Sequence, residues 1–154
     1  VQAELKKSLP HTASVKNPID ITFAIDAPNL FMNKIPRLLF SSGEADGLLL
    51  YGIFDYGVFL KYTGQSGLEL PVSEEEMRSF ENYISGKFSR IPEETGKPIV
   101  GTTFFTRNED PMVRRIQDLG VPMLPSPERA ASAIHALYMY GQIRNKLEQG
   151  GTVD

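Results

Sequence analysis

Residues 120–140 constrain the fold of this chain more than any other stretch of its sequence. The apolar segment 121–124 predicts a short buried strand, and Ser126 predicts the start of a helix directly after it. Ser126 is a favourable N-cap, and Pro127 fits the first helical position, where a missing N–H costs nothing. A strand that leads straight into a capped helix is typical of α/β proteins.

The same order of strand and then helix is predicted three more times upstream. The strands are predicted at residues 17–23, 47–54 and 97–105, and the following helices start at Asp26, Ser73 and Asp110. The run at 47–54 is apolar throughout, which predicts a central parallel strand buried on both faces. We therefore expect an α/β protein with an open parallel sheet of about four strands and helices on both faces.

Capping patterns and apolar periodicity predict the remaining elements. Residues 2–8 are a candidate for a short polar helix, and Ser73 with Glu76 forms a capping box. A long loop is predicted over residues 57–71, with one short helical turn after Asp55. In the helix after Ser73 we expect a buried stripe of Met77, Phe80, Ile84 and Phe88. The helix before it carries Phe31, Ile35, Leu38 and Leu39, and the helix after Asp110 carries Val113, Ile116 and Leu119.

The composition indicates a soluble globular protein of one domain, since the chain has 154 residues, of which 41% are hydrophobic and 23% charged. The formal net charge is −3 and no basic run occurs, so neither nucleic acid nor a membrane is an expected partner. The absence of cysteine excludes disulfides, zinc–thiolate sites and thiol catalysis. It agrees with the cytoplasmic location that we expect.

Three phrases of the sequence, taken in order, carry a family resemblance. They are Ala-Ser-Val-Lys-Asn-Pro-Ile-Asp-Ile-Thr at 13–22, Lys-Pro-Ile-Val at 97–100, and the segment from Gly120 through Ser-Pro-Glu-Arg at 126–129. Over roughly residues 5–145 the chain resembles the last flavodoxin-like domain of the NDP-forming acyl-CoA synthetases, relatives of succinyl-CoA synthetase. In that family the domain begins with one more strand and a glycine-rich turn, so we expect this first strand to be missing here.

The resemblance implies that the chain is one part of an acyl-CoA ligase, with a flavodoxin-like domain at 17–149, a linker at 1–16 and a tail at 150–154. Members of the family make an acyl-CoA from a carboxylic acid, CoA and a nucleoside triphosphate through a phosphorylated histidine. The implied partners are the CoA-binding, phosphohistidine and ATP-grasp domains or subunits, and an oligomer is expected. The complete enzyme requires CoA, ATP or ADP, and Mg²⁺, whereas no cofactor and little activity are expected for this domain alone.

Ligands of open parallel sheets bind outside the carboxyl ends of the strands, so the candidate site residues follow the predicted strands. In the first group, Asn17 and Asp20 keep the family pattern of asparagine, proline and aspartate. Either Asp20 orients a loop or a neighbouring domain near the phosphate site, or Asn17 and Pro18 form a turn and Asp20 caps backbone donors. The second group is Gly52, Asp55, Tyr56 and Gly57, and the third is Thr102, Thr103, Thr106, Arg107 and Asn108.

The second and third groups each allow a functional and a structural interpretation. At the positions of the second group, succinyl-CoA synthetases carry two glycines at the start of a helix. The N-terminal, positive end of that helix points toward the phosphohistidine. Here Asp55 and Tyr56 interrupt that pair, and an acidic side chain repels a phosphoryl group, so a structural turn is the alternative. In the third group the hydroxyls and Arg107 can hold an anion, although polar residues are ordinary in such a loop. Ser126 and Glu128 are explained by helix capping.

Neither histidine matches the serine, histidine, threonine, glycine context of the family's phosphohistidine. His11 precedes the first predicted strand and His135 lies within a predicted helix, so we expect both to be structural or exposed. Two histidines without cysteine or clustered carboxylates give little support to a metal site. Two other interpretations stay open: a stand-alone flavodoxin-like binding or regulatory module, such as a receiver or flavin domain, and a catalytically inactive scaffold relative.

Overall fold

The structure is a computed structural model that describes residues 1–22, 27–62 and 73–150. Its helices are α1 (Gln2–Ser8), α2 (Ala27–Asn29), a π-helix (Leu30–Lys34), α3 (Ile35–Ser41), α4 (Tyr56–Tyr62), α5 (Glu74–Thr95), α6 (Pro111–Asp118) and α7 (Pro127–Glu148). Its strands are β1 (Leu48–Tyr51), β2 (Ile99–Thr102) and β3 (Met123–Leu124). The strands form a small open parallel sheet in the order β1-β2-β3, so the chain is a mixed α/β protein.

The chain divides into two compact units. The first comprises Val1–Leu48 and Gly67–Lys97 and contains α1, α2, the π-helix, α3 and α5. The second comprises Leu49–Ser66 and Pro98–Asp154 and contains the sheet together with α4, α6 and α7.

The helix that follows Asp26 along the chain changes its winding before a proline. The Ile35 N–H donates to the Leu30 carbonyl, which lies five residues back, and Pro36 follows at once. A π-turn of this kind is wider than an α-turn and rotates the side chains that follow it. The buried residues are Leu30, Met32, Ile35, Pro36 and Phe40, while Phe31, Leu38 and Leu39 are half-buried.

The predicted capping box at the start of α5 is confirmed. The Ser73 hydroxyl accepts the Glu76 N–H at 3.2 Å, and the Glu76 carboxylate accepts the Ser73 N–H at 2.8 Å. The reciprocal bonds satisfy two donors that a helix start would otherwise leave free. Of the predicted apolar stripe, Ile84 and Phe88 are fully buried, Met77 is half-buried and Phe80 is 38% exposed.

Lys97 caps the C-terminal end of α3. Its Nζ donates to the Ala45 carbonyl at 2.7 Å and to the Phe40 carbonyl at 3.4 Å, and it lies 5.6 Å from the centre of the Phe40 ring. The last turn of a helix presents unpaired carbonyl groups, which favour a positive charge. The lysine of the Lys-Pro-Ile-Val phrase therefore has a structural role inside the first unit.

β2 is the central strand of the sheet, and all four of its residues are buried. Its partner β3 runs parallel to it, with Gly101 opposite Met123. A Cβ added at Gly101 would overlap the Met123 side chain and lie 3.4 Å from Ile53. Glycine at this position lets the Met123 side chain pack directly against the strand backbone.

The expectation of a doubly buried central strand at residues 47–54 is wrong. β1 covers only Leu48–Tyr51 and, among the described residues, lies at the edge of the sheet. Leu50 is buried, but Leu49 and Tyr51, which point to the opposite face, are 40% and 48% exposed. An apolar run indicates a strand, whereas its place in the sheet depends on which other strands pair with it.

The strand expected at residues 17–23 is also not found within the described residues. Ser14 and Asp20 form an isolated antiparallel bridge instead. The Asp20 carboxylate accepts the Thr22 N–H at 2.9 Å, and Thr22 has a φ of 49°, outside the strand region. Local side-chain bonds of this kind compete with sheet pairing, so the described sheet has three strands rather than about four. Phe23 itself lies outside the described residues.

The predicted helix starts agree more closely with the structure. α6 and α7 begin where capping and proline patterns place them, and α1 covers the predicted residues 2–8. The short turn predicted after Asp55 is a helix of seven residues, Tyr56–Tyr62, so the predicted loop at 57–71 begins later than expected. Residues 63–71 of that loop, and Val72 before α5, lie outside the described residues.

Candidate functional site

Each helix that follows a strand of the sheet begins with a side-chain cap. Asp55 precedes α4, and its Oδ1 accepts the Val58 N–H at 3.0 Å. Asp110 caps α6 by accepting the Val113 N–H at 2.9 Å, and Ser126 caps α7. The free N–H groups of a helix start would otherwise attract anions. Here side-chain oxygen atoms of the protein accept some of these N–H groups, and two of the three capping side chains are carboxylates.

Asp110 joins two of these caps. Its Oδ2 accepts the Asp55 backbone N–H at 2.8 Å, while its Oδ1 accepts the Val113 N–H. Asp110 is 0% exposed, and this burial raises the pKa of its carboxyl above the ordinary 3.8, an effect that the nearby Asp55 charge reinforces. One buried carboxyl group therefore holds the loop after β1 to the start of α6.

The raised pKa of Asp110 predicts a pH dependence of stability, because the folded state binds this proton more tightly than the unfolded state. The contribution of Asp110 to the free energy of unfolding is greatest below the ordinary pKa of 3.8 and falls as the pH rises through the raised value. In urea titrations we subtract the unfolding free energy of Asp110→Asn from that of the wild-type chain. We expect this difference to decrease as the pH rises from about 4.

The comparison with Asp110→Asn isolates this one carboxyl group. The pKa values of Glu76 and Glu109 are lowered by hydrogen bonds from Ser73 and Thr106, so these glutamates change stability with the opposite sign. Both proteins contain them, and their effects cancel in the difference. A difference that stays constant or grows with pH would show that the pKa of Asp110 is not raised.

Two threonines of the third candidate group are buried at the end of β2. Thr102 and Thr103 are 1% and 3% exposed. The Thr103 hydroxyl accepts the Phe105 N–H at 3.4 Å, whereas the Thr102 hydroxyl has no hydrogen-bond partner among the described residues. Gly52, from the second group, donates its N–H to the Thr102 carbonyl at 3.0 Å and has a φ of 93°, which favours glycine. Neither threonine is accessible from solvent in this arrangement.

The other polar residues of the third group are bonded to neighbouring acids. The Thr106 N–H and hydroxyl both donate to the Glu109 carboxylate, at 2.9 Å and 2.8 Å. Arg107 forms an ion pair with Asp118 at 2.9 Å, and Asn108 is exposed. An anion that binds Thr106 or Arg107 would have to compete with these carboxylates.

An exposed apolar surface lies on β1 and the loop after β2. Tyr51, at the end of β1, and Phe104, two residues after β2, pack edge to face with their ring centres 5.3 Å apart. They are 48% and 70% exposed, and Leu49, on the same face of β1 as Tyr51, is 40% exposed. We call Leu49, Tyr51 and Phe104 the aromatic edge. Aromatic side chains are enriched where proteins contact one another.

Asn17 and Asp20 belong to the first unit, whereas the other candidate residues belong to the second. Both are exposed, and the peptide bond between Asn17 and Pro18 is cis. The Ser14 hydroxyl donates to the Pro18 carbonyl at 3.4 Å, and Asp20 accepts the Thr22 N–H. Asp20 thus caps a backbone donor, as its structural interpretation predicts.

Sequence reasoning missed two features of this site. It predicted Asp110 only as a helix cap, because the bond to Asp55 joins residues 55 positions apart and leaves no local pattern. It also passed over the aromatic edge. The signal available for that surface was the pair Phe104 and Phe105 at the start of an otherwise polar loop.

The histidines and carboxylates do not converge within the described part of the chain. His11 and His135 are both exposed, as expected. Among residues 1–22, 27–62 and 73–150, no three His, Asp or Glu side chains are grouped so that they could hold a metal ion. Within the same residues, no helix has the length and apolar character needed to cross a membrane.

Fold and site together define a mixed α/β protein with a small parallel sheet, self-capped helix starts and an exposed aromatic edge. Comparisons with protein-family models, with curated proteins and with solved structures give no match for this chain. Its function is therefore inferred from its own residues and from the family resemblance of its sequence.

Proposed function

We propose that this chain is a flavodoxin-like domain of a nucleotide-dependent acyl-CoA synthetase, in which it positions the phosphate-transfer site and contacts the other parts of the enzyme. The complete enzyme joins a carboxylic acid to CoA and converts a nucleoside triphosphate into the diphosphate and phosphate, through a phosphohistidine on another domain. The chain alone is expected to be inactive. The phrases at 13–22, 97–100 and 120–129 support the family, and the aromatic edge supports the contact role.

The aromatic edge is the observation that carries the contact role. Among the described residues β1 is an edge strand, and edge strands readily pair with, or pack against, another chain. Tyr51 and Phe104 add large apolar side chains on the same surface, 48% and 70% exposed. Contiguous exposed apolar surface on proteins marks contact sites when it is large.

The groups at the start of α4 do not suit a bound phosphoryl group. The Asp55 carboxylate accepts the Val58 N–H, and the Asp110 carboxyl group accepts the Asp55 N–H at 2.8 Å, so neither donor is available to a ligand. A phosphoryl group would add further negative charge beside two acidic side chains, which is unfavourable where solvent screening is weak. Under the proposal, phosphate binding and transfer therefore take place on the other domains.

Calorimetric titration of the purified chain separates the proposal from its main alternatives. We expect CoA, ATP and FMN, titrated separately, each to bind more weakly than about 1 mM, because the binding groups for CoA and ATP lie on other domains. Tight FMN binding would identify a stand-alone flavin module and overturn the proposal.

Reconstitution tests the proposed role directly. The chain is added to the CoA-binding, phosphohistidine and ATP-grasp parts of an NDP-forming acyl-CoA synthetase, and acyl-CoA formation is measured. We expect turnover only when all parts are present, and at least about tenfold weaker association for Phe104→Ser. Leu119→Ser is the matched control, since Leu119 is an exposed apolar residue of the same unit at 46%. Full turnover without the chain, or unchanged association of Phe104→Ser, would contradict the proposal.

A further inference from the structure

The loops that follow β1 and β2 lie beside each other in the second unit. They comprise residues 52–55 and residues 103–110, and we call them the paired loops. Where the strands end, a backbone N–H of the first loop donates to a carbonyl of β2 at 3.0 Å. At the opposite end, the Asp55 N–H donates to Oδ2 of Asp110 at 2.8 Å. The paired loops are thus joined both at the sheet and at the helices that follow them.

Two aromatic contacts lie between these joined ends. The Phe54 and Phe105 rings, both half-buried, pack edge to face with their centres 6.4 Å apart. Phe104, next to Phe105 in the chain, makes the exposed contact with Tyr51. Because Phe104 and Phe105 are adjacent, a movement of one loop relative to the other changes both contacts. The arrangement of the aromatic edge therefore depends on how firmly the paired loops are held together.

Asp110 is the link between the paired loops that can change its charge. Its two oxygens accept the Asp55 and Val113 N–H groups, and an ionised carboxylate is a stronger acceptor than a neutral acid. Protonation turns one oxygen into a hydroxyl group, so the two bonds cannot both keep their full strength. Asp110 is 0% exposed, so water does not replace a weakened bond. The groups that act on this carboxyl are backbone N–H groups and the Asp55 charge, and burial together with that charge raises its pKa.

We propose that Asp110 is a positioning residue for the aromatic edge, because its carboxyl group holds the paired loops together at the end away from the sheet. The charge of Asp110 then sets the arrangement of the Tyr51 and Phe104 rings. This effect is a property of the isolated chain. Its consequence for a binding partner rests on the contact role proposed above.

A pH titration of the full chain, followed by NMR, tests the proposal. We expect the ring protons of the aromatic edge to shift with the same midpoint as the Asp110 carboxyl carbon and the Asp55 amide. This midpoint lies above the ordinary pKa of 3.8. Glu109, on the same loop, has a pKa lowered by hydrogen bonds and therefore titrates at lower pH. Ring signals that do not follow Asp110 overturn the proposal.

Two variants separate the Asp110 carboxyl group from the Asp55 charge. Asp110→Asn does not titrate and offers one acceptor oxygen for two N–H groups, so its ring signals should lack the Asp110 midpoint. Asp55→Asn keeps the backbone N–H that donates to Asp110 and a side-chain oxygen for the Val58 N–H, but it removes the charge. In this control the midpoint should fall, since the repulsion is gone, and the ring response should persist. A response with the same midpoint in Asp110→Asn, or its loss in Asp55→Asn, contradicts the proposal.

Association with the synthetase parts measures the consequence for partner binding. We expect Asp110→Asn to weaken association at least about threefold, and to have no further effect when it is combined with Phe104→Ser. Ser126→Ala, which loses a helix cap in the same unit, is the control and should associate as the wild-type chain does. Equal weakening by Asp110→Asn with and without Phe104 contradicts the proposal. A wild-type chain that does not associate refutes the contact role alone, because the titration of the isolated chain still decides whether Asp110 positions the aromatic edge.

Discussion

Replacement of Phe88 by alanine is expected to lower the free energy of unfolding by about 3–5 kcal/mol, the largest effect of any single side chain considered. Phe88 is 0% exposed on α5, which packs against the π-helix and α3 in the first unit. Removing the ring forfeits its burial and leaves a cavity that the surrounding helices fill only in part. Urea unfolding followed by circular dichroism measures the loss.

Phe80→Ala is the matched control for this prediction, because it removes the same side chain from the same helix. Phe80 is 38% exposed, so much of its ring surface is already in water. We expect it to lower the free energy of unfolding by about 1 kcal/mol, well below the value for Phe88. Equal losses in the two variants would show that Phe88 is not in a close-packed core.

Replacement of Asp110 by alanine is expected to lower the free energy of unfolding by about 2–3 kcal/mol. The variant loses the cap on the Val113 N–H and leaves the Asp55 N–H without its acceptor. The energy of burying a carboxyl group, which raises the pKa of Asp110, is relieved at the same time and reduces the net loss. Urea unfolding at neutral pH provides the value.

Ser126→Ala serves as the control for Asp110, because Ser126 caps one backbone N–H of α7, that of Arg129 at 3.3 Å, and does not hold a distant loop. A single cap contributes about 1 kcal/mol, so the additional loss in Asp110→Ala measures the connection to Asp55. If the two variants lose the same free energy, the bond between Asp110 and Asp55 contributes nothing to stability.

The enzyme role depends on the aromatic edge, and Phe104→Ser tests it through association with the other synthetase parts.

Several local features of this protein follow directly from its sequence. The capping box at Ser73, the cap at Asp110 and the strand-to-helix transition at Ser126 were all predicted and are all present. Each depends on bonds between residues three positions apart, which local sequence specifies. The order of strands and helices along much of the chain follows from the same short-range signals.

The place of each strand in the sheet and the long-range contacts depend on the tertiary structure. Among the described residues β2 is the central strand and β1 lies at the edge, and because both sequences predict apolar strands, only their pairing distinguishes them. The tertiary structure brought Asp55 to Asp110 and Arg37 to Glu94, residues more than fifty positions apart. Contacts at such separation depend on how the chain closes in space, and no local pattern encodes them.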